Sequence, residues 1–370
     1  MERALSILRG LGSCPATPFF EGLPAQYVTE ALARSGVDYQ RDEFGNIVAR
    51  VAATAQSSGP PIAFVAHMDH PGFEVVEVVG TGAVARAMGG VPAASLVKPV
   101  PVFVLAQDGT RISGVTEPHE DMTDPNDRMS DRLVRIQLDN SIDSEPPLPV
   151  VFDLADFELE GDTIRMRAVD DLAGCAAILC LLERVDREGP AADVYGVFTR
   201  AEEGGLFGAR LMAEAGTLPK ETVIVSVESS AVIPGVEQGA GPVIRTGDAL
   251  TTFDMDAERL LAAAVASIRG RNPEFKVQRQ LMSGGVCEAT AFLMDGYSVT
   301  GVAFPLGNYH NATTTIPDPE GGVAEEYIQL SDYLGGMELL AEAATIGVER
   351  DGTTSRIGVV ADDVRERLRN

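Results

Sequence analysis

Residues 193–210, DVYGVFTRAEEGGLFGAR, predict a buried strand, a tight turn and a helix in succession. The apolar residues of the first part have the spacing of a strand, and residues 206–215 have the spacing of a helix. Two adjacent carboxylates, Glu202 and Glu203, stand between them and precede two glycines. In open α/β sheets, ligands bind beyond the carboxyl ends of the strands, so this pair is expected to face a crevice.

Adjacent carboxylates such as Glu202 and Glu203 have two interpretations. They repel each other, and a cation or a shared proton is the usual remedy. If their side chains diverge, one carboxylate can bind a metal while the other moves a proton. The alternative is a solvated acidic turn, and only partners elsewhere in the chain decide between the two.

Composition limits the class of protein. The 370 residues suit one large α/β domain with an insertion, or two domains, and 45% hydrophobic with 23% charged residues is typical of a globular chain. A net charge of −26 disfavours nucleic acid and anionic membranes as partners. The four cysteines are scattered without a CxxC pair, which indicates free thiols. We find no signal segment and no stretch of membrane-spanning length, so the cytoplasm is the expected compartment.

The α/β pattern begins with two predicted helices, a strand pair over residues 37–51 and a short apolar strand over residues 62–66. His67 and Asp69 follow this strand and share one face of it. Asp69 could therefore hold the second ring nitrogen of His67 and orient a metal ligand. A core histidine that is satisfied by a nearby aspartate is the alternative, and this motif alone leaves both open.

Residues 73–161 have a different texture, because short valine-rich runs alternate with Gly, Pro and Asp turns. This pattern predicts a small β-rich domain inserted into a catalytic α/β domain of residues 1–72 and 162–347, with residues 348–370 as a tail. Within the insertion, residues 121–131 are interpreted as a solvated acidic loop. His119 beside this loop receives no role.

Three further candidates lie near predicted strand ends. Asp170 follows residues 163–169, Glu228 follows the apolar run 222–227, and His310 lies in a polar loop after residues 299–304. An amphipathic pattern over residues 324–346 predicts a long closing helix.

The candidate ligands are two histidines and three carboxylates without cysteine, a set that suits Zn, with Co or Mn as alternatives. Five ligands can serve two divalent ions if one carboxylate bridges them. Each of these residues alone is a weak signal for a metal site, but their order along the chain makes the set a specific one: His67, Asp170, Glu203, Glu228 and His310.

At these motifs the chain resembles the co-catalytic zinc aminopeptidases of the glutamyl/leucyl (tetrahedral-type) group. The resemblance covers about residues 2–347 and rests on five segments: AHMDHPGF (66–73), RAVDDLAG (167–174), TRAEEGGLFGA (199–209), SGG (283–285) and NYHN (308–311). It implies a mixed-sheet metallopeptidase domain sandwiched by helices, with an inserted β-barrel-like domain after the first ligand. It also implies a homo-oligomer in which the insertion pairs subunits and limits access to the sites.

Carried over by position, the resemblance assigns His67 and Glu228 to one metal and Glu203 and His310 to the other, with Asp170 bridging. It makes Glu202 the general base and Asp69 the residue that orients His67. A cis peptide bond between Asp170 and Asp171 is a further implication.

Three departures from the family pattern concern the substrate. His70 stands where Glu is usual, Leu172 replaces a basic residue, and Glu228 replaces an Asp that aminopeptidases of this group generally carry. We therefore expect a metal-dependent hydrolase of short peptides or small amides, an aminopeptidase first, with an amidohydrolase of N-acyl amino acids as the alternative. A non-catalytic binding or assembly protein is a third class, against which the presence of all five ligands and the base argues.

Overall fold

The structure is a computed structural model that describes residues 1–53, 59–91, 96–118, 132–313, 322–348 and 361–369. His119 and residues 121–131 lie outside the described residues. The helices are α1 (Glu2–Gly12), α2 (Gly22–Ser35), α3 (Leu172–Glu188), α4 (Phe207–Ala215), α5 (Met255–Arg271), α6 (Glu288–Met294), α7 (Leu330–Ile346) and α8 (Asp362–Arg369). None of the helices in these ranges is long and apolar enough to cross a membrane.

The strands form three groups. In chain order they are β1 (Asp38–Arg41), β2 (Ile47–Val51), β3 (Ile62–His67), β4 (Gly72–Val79), β5 (Gly82–Met88), β6 (Pro101–Leu105), β7 (Arg111–Thr116), β8 (Leu133–Leu138), β9 (Leu148–Phe152), β10 (Glu158–Glu160), β11 (Thr163–Met166), β12 (Val194–Thr199), β13 (Val223–Ala231), β14 (Val243–Arg245), β15 (Gln278–Gln280), β16 (Ser298–Leu306) and β17 (Glu326–Gln329).

The largest group is an eight-stranded mixed sheet with the order β1-β2-β12-β3-β13-β16-β14-β15. Its centre is parallel, because β3 pairs in parallel with β12 and β13, and β13 pairs in parallel with β16. The pairs β1–β2, β2–β12 and β14–β16 are antiparallel. The parallel centre brings the carboxyl ends of β3, β12 and β13 to one edge, where the candidate residues are expected.

Helices cover both faces of this sheet. Along β3, Phe64 packs in a core with residues of α1, α2, α3, α5 and α7, whereas Val65 packs in a second core with residues of α4 and α6. This is the alternation of a strand that is buried on both faces. The prediction of a mixed sheet sandwiched by helices is confirmed.

The insertion contains a closed barrel of six strands in the order β4-β5-β8-β7-β6-β9. Its interior is a separate apolar cluster, in which Phe73 and Phe152 meet edge to face with ring centroids 5.7 Å apart. A closed sheet has no free edges, which explains how valine-rich strands are accommodated. The barrel-like fold is confirmed, while the domain limits at residues 73 and 161 stay a prediction.

Three details of the predicted elements are wrong. The strand before Asp170, β11, ends at Met166 rather than at Val169, and it lies in a three-stranded sheet with β10 and β17. Glu228 lies inside β13 rather than beyond its end. Residues 326–329, predicted as helix, form β17, because their backbone pairs with β11 in antiparallel register; the helix begins only at Leu330.

The turn that carries Glu202 and Glu203 is closed by Gly208 and Asn46. The amide of Gly208 donates to the carbonyl of Arg200 at 2.9 Å, and Asn46 accepts from the Arg200 amide at 3.0 Å and donates to the Gly208 carbonyl at 3.1 Å. A methyl group on Gly208 would overlap both the Arg200 carbonyl oxygen and the Asn46 side-chain oxygen. Only glycine fits this approach of helix to strand.

Gly208→Ala should therefore lower the free energy of unfolding by about 1–3 kcal/mol, as for other overpacked sites. Gly270 is the matched control, because it lies near the end of α5 and a methyl group there would meet nothing within 4 Å. Gly270→Ala should raise stability by roughly 0.5–1 kcal/mol. Denaturant unfolding of the two variants measures both changes, and equal effects would contradict the close approach.

Candidate metal centre

The predicted ligands and the predicted base line one cavity of about 310 Å³. The cavity lies at the carboxyl ends of β3 and β12 and beside β13, with the Gly284–Gly285 loop on another side. The members of the predicted set that line it are His67, Asp170, Glu202, Glu203, Glu228 and His310. Asp69 is fully buried behind it.

The described side chains form four groups of possible metal ligands. Two of them contain Glu202, once with His67 and Glu203 and once with Glu228 and Glu288. In the other two, ligand atoms of His67, Asp170 and Glu228 lie within 4.8 Å of one another, and so do those of Asp170, Glu203 and His310. Asp170 belongs to both of these groups, which is the position that a carboxylate bridging two cations must have. The described residues thus include groups that can bind a metal ion.

Backbone carbonyls fix the tautomers of both histidines. Nδ1 of His67 donates to the carbonyl of Asp69 at 3.0 Å, and Nδ1 of His310 donates to the carbonyl of Gly90 at 2.9 Å. The Nε2 atom of each ring then faces carboxylates: His67 Nε2 lies 3.5 Å from Asp170 Oδ1, and His310 Nε2 lies 3.2 Å from Glu203 Oε1. Histidine ligands are oriented by such outer contacts in metal sites generally.

Asp69 contacts His67 mainly through its backbone. Its carboxylate lies 3.7 Å from Nδ1 of His67, and instead accepts hydrogen bonds from the amides of Glu202 and Glu203, both at 3.0 Å. Burial raises the pKa of Asp69 to about 7. The Asp69 side chain therefore holds the turn that carries the two glutamates.

The two adjacent glutamates differ in their surroundings. Burial raises the pKa of Glu202 well above its usual range, and the nearby carboxylates of Glu203 and Glu288 add to this. Burial also opposes ionisation of Glu203, but the neighbouring His310 lowers its pKa to about 2. Groups whose environments separate their pKa values in this way are suited to different chemical tasks.

Asp170 carries the clearest sign that this centre is built for a cation. Its Oδ1 atom is buried and has no hydrogen-bond partner among the described residues. A buried carboxylate oxygen is normally satisfied by a donor or by a metal ion. Together with the donor set of imidazole and carboxylate groups, this oxygen fits a pair of divalent cations.

The peptide bond between Asp170 and Asp171 is cis, as the resemblance implies. Asp171 also caps α3, because its carboxylate accepts from the amide of Gly174 at 3.2 Å. Leu172, the second departure from the family pattern, is buried in the core beneath this turn.

His70 does not line the cavity. Its Nδ1 donates to the carbonyl of Asp170 at 2.9 Å, and its Nε2 lies 2.8 Å from Oδ1 of Asn311. Burial lowers its pKa. Both ring nitrogens are engaged, so His70 has no nitrogen left for a metal.

Sequence reasoning missed two functional candidates. Glu326 is fully buried, and its carboxylate accepts from the amides of Val169, Asp170 and His310 at 2.8, 3.0 and 2.9 Å. Arg245 lines the cavity as a buried cation, with Nη1 3.8 Å from Glu228 Oε2. In the sequence, the one signal for either residue is a charged side chain next to apolar neighbours.

Comparison with known proteins places this geometry in a family. A family model described as M42 glutamyl aminopeptidase matches residues 45–318, well over half of the chain. The chain therefore belongs to the M42 glutamyl aminopeptidase family.

The chain is similar to FrvX, a candidate aminopeptidase of Escherichia coli (strain K12), with 25% identity over 287 residues that cover 73% of this chain and 78% of FrvX. Among solved structures, the TET1 peptidase of Pyrococcus horikoshii has a TM-score of 0.72 at 22% identity, covering 92% of this chain and 99% of that chain. A TET aminopeptidase from Thaumarchaeota archaeon SCGC AB-539-E09 has a TM-score of 0.75 at 18% identity, covering 93% and 97%. At these identities the two structures show the fold alone.

Family and fold confirm the predicted class, a hydrolytic enzyme of the aminopeptidase type. They do not assign individual residues.

Proposed function

We propose that this chain is a metal-dependent aminopeptidase in which His67, Asp170 and Glu228 hold one divalent cation and Asp170, Glu203 and His310 hold a second. The observation that carries the proposal is the buried Asp170 oxygen that accepts no hydrogen bond from the described residues and lies at the overlap of the two groups. Zinc fits this donor set best, and cobalt or manganese would fit it also. When bound, such a pair polarises the scissile carbonyl and lowers the pKa of the attacking water.

Glu202 is the proposed general base. Its Oε2 lies 3.9 Å from Nε2 of His67, so its carboxylate reaches the centre. It also comes within ligand distance of His67 and Glu203, but the proposal uses it as the base and not as a ligand. It would take the proton of the attacking water and pass it to the leaving amine. Asp69 supports this role by holding the amides of Glu202 and Glu203.

The variant Glu202→Gln should keep the bound metal and lower turnover by about 10²–10⁴, because it removes the proton carrier and no ligand. The variant Glu203→Gln should instead reduce the amount of bound metal, from an expected value of about two divalent ions per chain. Metal analysis together with peptide hydrolysis separates the two variants. Near-normal turnover in Glu202→Gln would remove this residue from the mechanism.

Substrate selection is proposed to involve Arg245. Its guanidinium is buried in the cavity wall, its Nη1 donates to the Ser230 hydroxyl at 3.2 Å, and its Nε has no partner among the described residues. The guanidinium of an arginine can bind a carboxylate in a bidentate manner. An acidic N-terminal side chain fits this wall and agrees with the name of the family, while the carboxylates Glu202 and Glu228 favour a cationic α-amine.

A glutamyl dipeptide should therefore be cleaved faster than its glutaminyl counterpart, on the order of 10- to 100-fold in kcat/KM, because a hydrogen-bonded charge pair is lost with the amide. Arg245→Met should remove most of this difference. Equal loss for both substrates would indicate only a structural role.

The free amine is tested in the same assay. N-acetylation of the glutamyl dipeptide should slow its cleavage, because it removes the cationic group that the cavity carboxylates favour. Faster cleavage of the acetylated compound would overturn the aminopeptidase proposal and favour an amidohydrolase of N-acyl amino acids.

We further propose a homo-oligomer in which the inserted β-rich domain pairs subunits and limits access to short peptides. The support is the similarity to the TET1 peptidase of Pyrococcus horikoshii, described as able to assemble into a tetrahedron or a large octahedral shell. We also propose a cytoplasmic location, because the four cysteines are free thiols, as is usual in a reducing compartment.

Light scattering should therefore give a mass that is a multiple of the chain mass at micromolar concentration. A stable monomer under these conditions would contradict the proposed assembly, without affecting the proposed chemistry.

A further inference from the structure

Three buried side chains lie behind the residues that line the cavity, and together they are called the frame: His70, Asn311 and Glu326. All three are buried, with exposures of 3%, 0% and 0%. None of the three lines the cavity. They come from three separate segments: the residue after Asp69, the turn after His310 and the start of β17.

The frame holds the peptide groups on both sides of Asp170. The amide of Asp170 donates to Glu326 Oε2 at 3.0 Å, and its carbonyl accepts from His70 Nδ1 at 2.9 Å. The position of Asp170 is thus fixed through its own backbone, while its buried Oδ1 accepts no hydrogen bond from the described residues.

The same frame holds the segment of His310. The amide of His310 donates to Glu326 Oε1 at 2.9 Å, and Asn311 Oδ1 lies 2.8 Å from His70 Nε2. The amide group of Asn311 donates to the carbonyls of Arg167 at 2.8 Å and Ala324 at 3.1 Å, which fixes its orientation. Glu326 and His70 therefore each contact both the Asp170 segment and the segment of residues 310–311. Asn311 fixes the position of His70 by contacting its second ring nitrogen.

The segment needs such support. His310 and Asn311 have φ values of +54° and +62°, in the left-handed region that residues other than glycine adopt uncommonly, with histidine and asparagine among those that adopt it more often. A residue held in this region persists only where its surroundings determine it. The hydrogen bonds to Glu326 and His70 are the surroundings that the structure provides.

We propose that His70, Asn311 and Glu326 act together as positioning residues that fix Asp170 relative to His310 and so determine the affinity of the centre for its cations. The inference rests on the proposed function, since it takes Asp170 and His310 as ligands. His70 and Glu326 are not ligands themselves, because their nitrogens and oxygens are already engaged.

The test is a chelator competition on the metal-loaded enzyme, which measures the dissociation constant for zinc in the wild type and in Glu326→Gln and His70→Gln. Each variant should bind zinc about 10- to 100-fold more weakly, the range typical of residues that orient metal ligands. In the double variant the two effects should not add, because both act on the same Asp170 peptide. If Glu326→Gln does not fold, His70→Gln decides alone.

Asp332→Asn is the matched control. Asp332 is a buried carboxylate that accepts from the amides of Gly239 and Gly241, both at 2.7 Å, and it lies outside the cavity. It should lower the thermal unfolding temperature and leave the zinc dissociation constant within about twofold of wild type.

The inference is overturned if the frame variants, like this control, keep a zinc dissociation constant close to that of the wild type. If the wild type itself binds no zinc, the proposed function fails first, and the two failures are therefore distinguishable.

Discussion

Carboxylates that water cannot solvate repel one another across the cavity, and this repulsion has to be balanced before this part of the chain is stable. Burial raises the pKa values of Glu202 and Glu228, and each carboxylate adds to the cost of its neighbours. Arg245 supplies one positive charge, 3.8 Å from Glu228. The proposed pair of divalent cations would supply four and would satisfy the buried oxygen of Asp170 as well. Metal binding and the folding of this region are therefore expected to be one coupled equilibrium.

Most of the precision of the centre comes from groups that do not face the cavity. The carbonyls of Asp69 and Gly90 select the tautomers of the two histidines. The carboxylate of Asp69 holds the amides of the glutamate pair. Because these contacts use backbone atoms, they leave the cavity-facing atoms of the side chains available for a substrate or a cation. The arrangement resembles the outer support that tunes metal ligands generally.

Local patterns in the sequence predict the main sheet, the helices on its two faces and the barrel, because burial on both faces of a strand leaves continuous apolar runs. The same patterns place most of the ligand candidates near strand ends, and the structure brings these candidates to one cavity. Glu326 was missed, because β17 is a four-residue strand formed by pairing with the distant β11, and a helical pattern continues directly into it. Arg245 lies on the three-residue β14, and its position beside Glu228 depends on sheet order. The role of the Asp69 carboxylate depends on backbone direction, which a two-residue spacing does not determine.

The hydrogen bond between Gly90 and His310 joins the loop after β5 to the turn that follows β16 of the large sheet. Gly90 also lines the cavity, so the barrel supplies part of the wall against which a substrate would lie. A displacement of the barrel by about 1 Å would lengthen this bond beyond its normal range and free the imidazole to turn over. The barrel is consequently not an exchangeable module. A chimera that carried the barrel of a relative would have to reproduce the position of one carbonyl oxygen before its histidine could serve as a ligand.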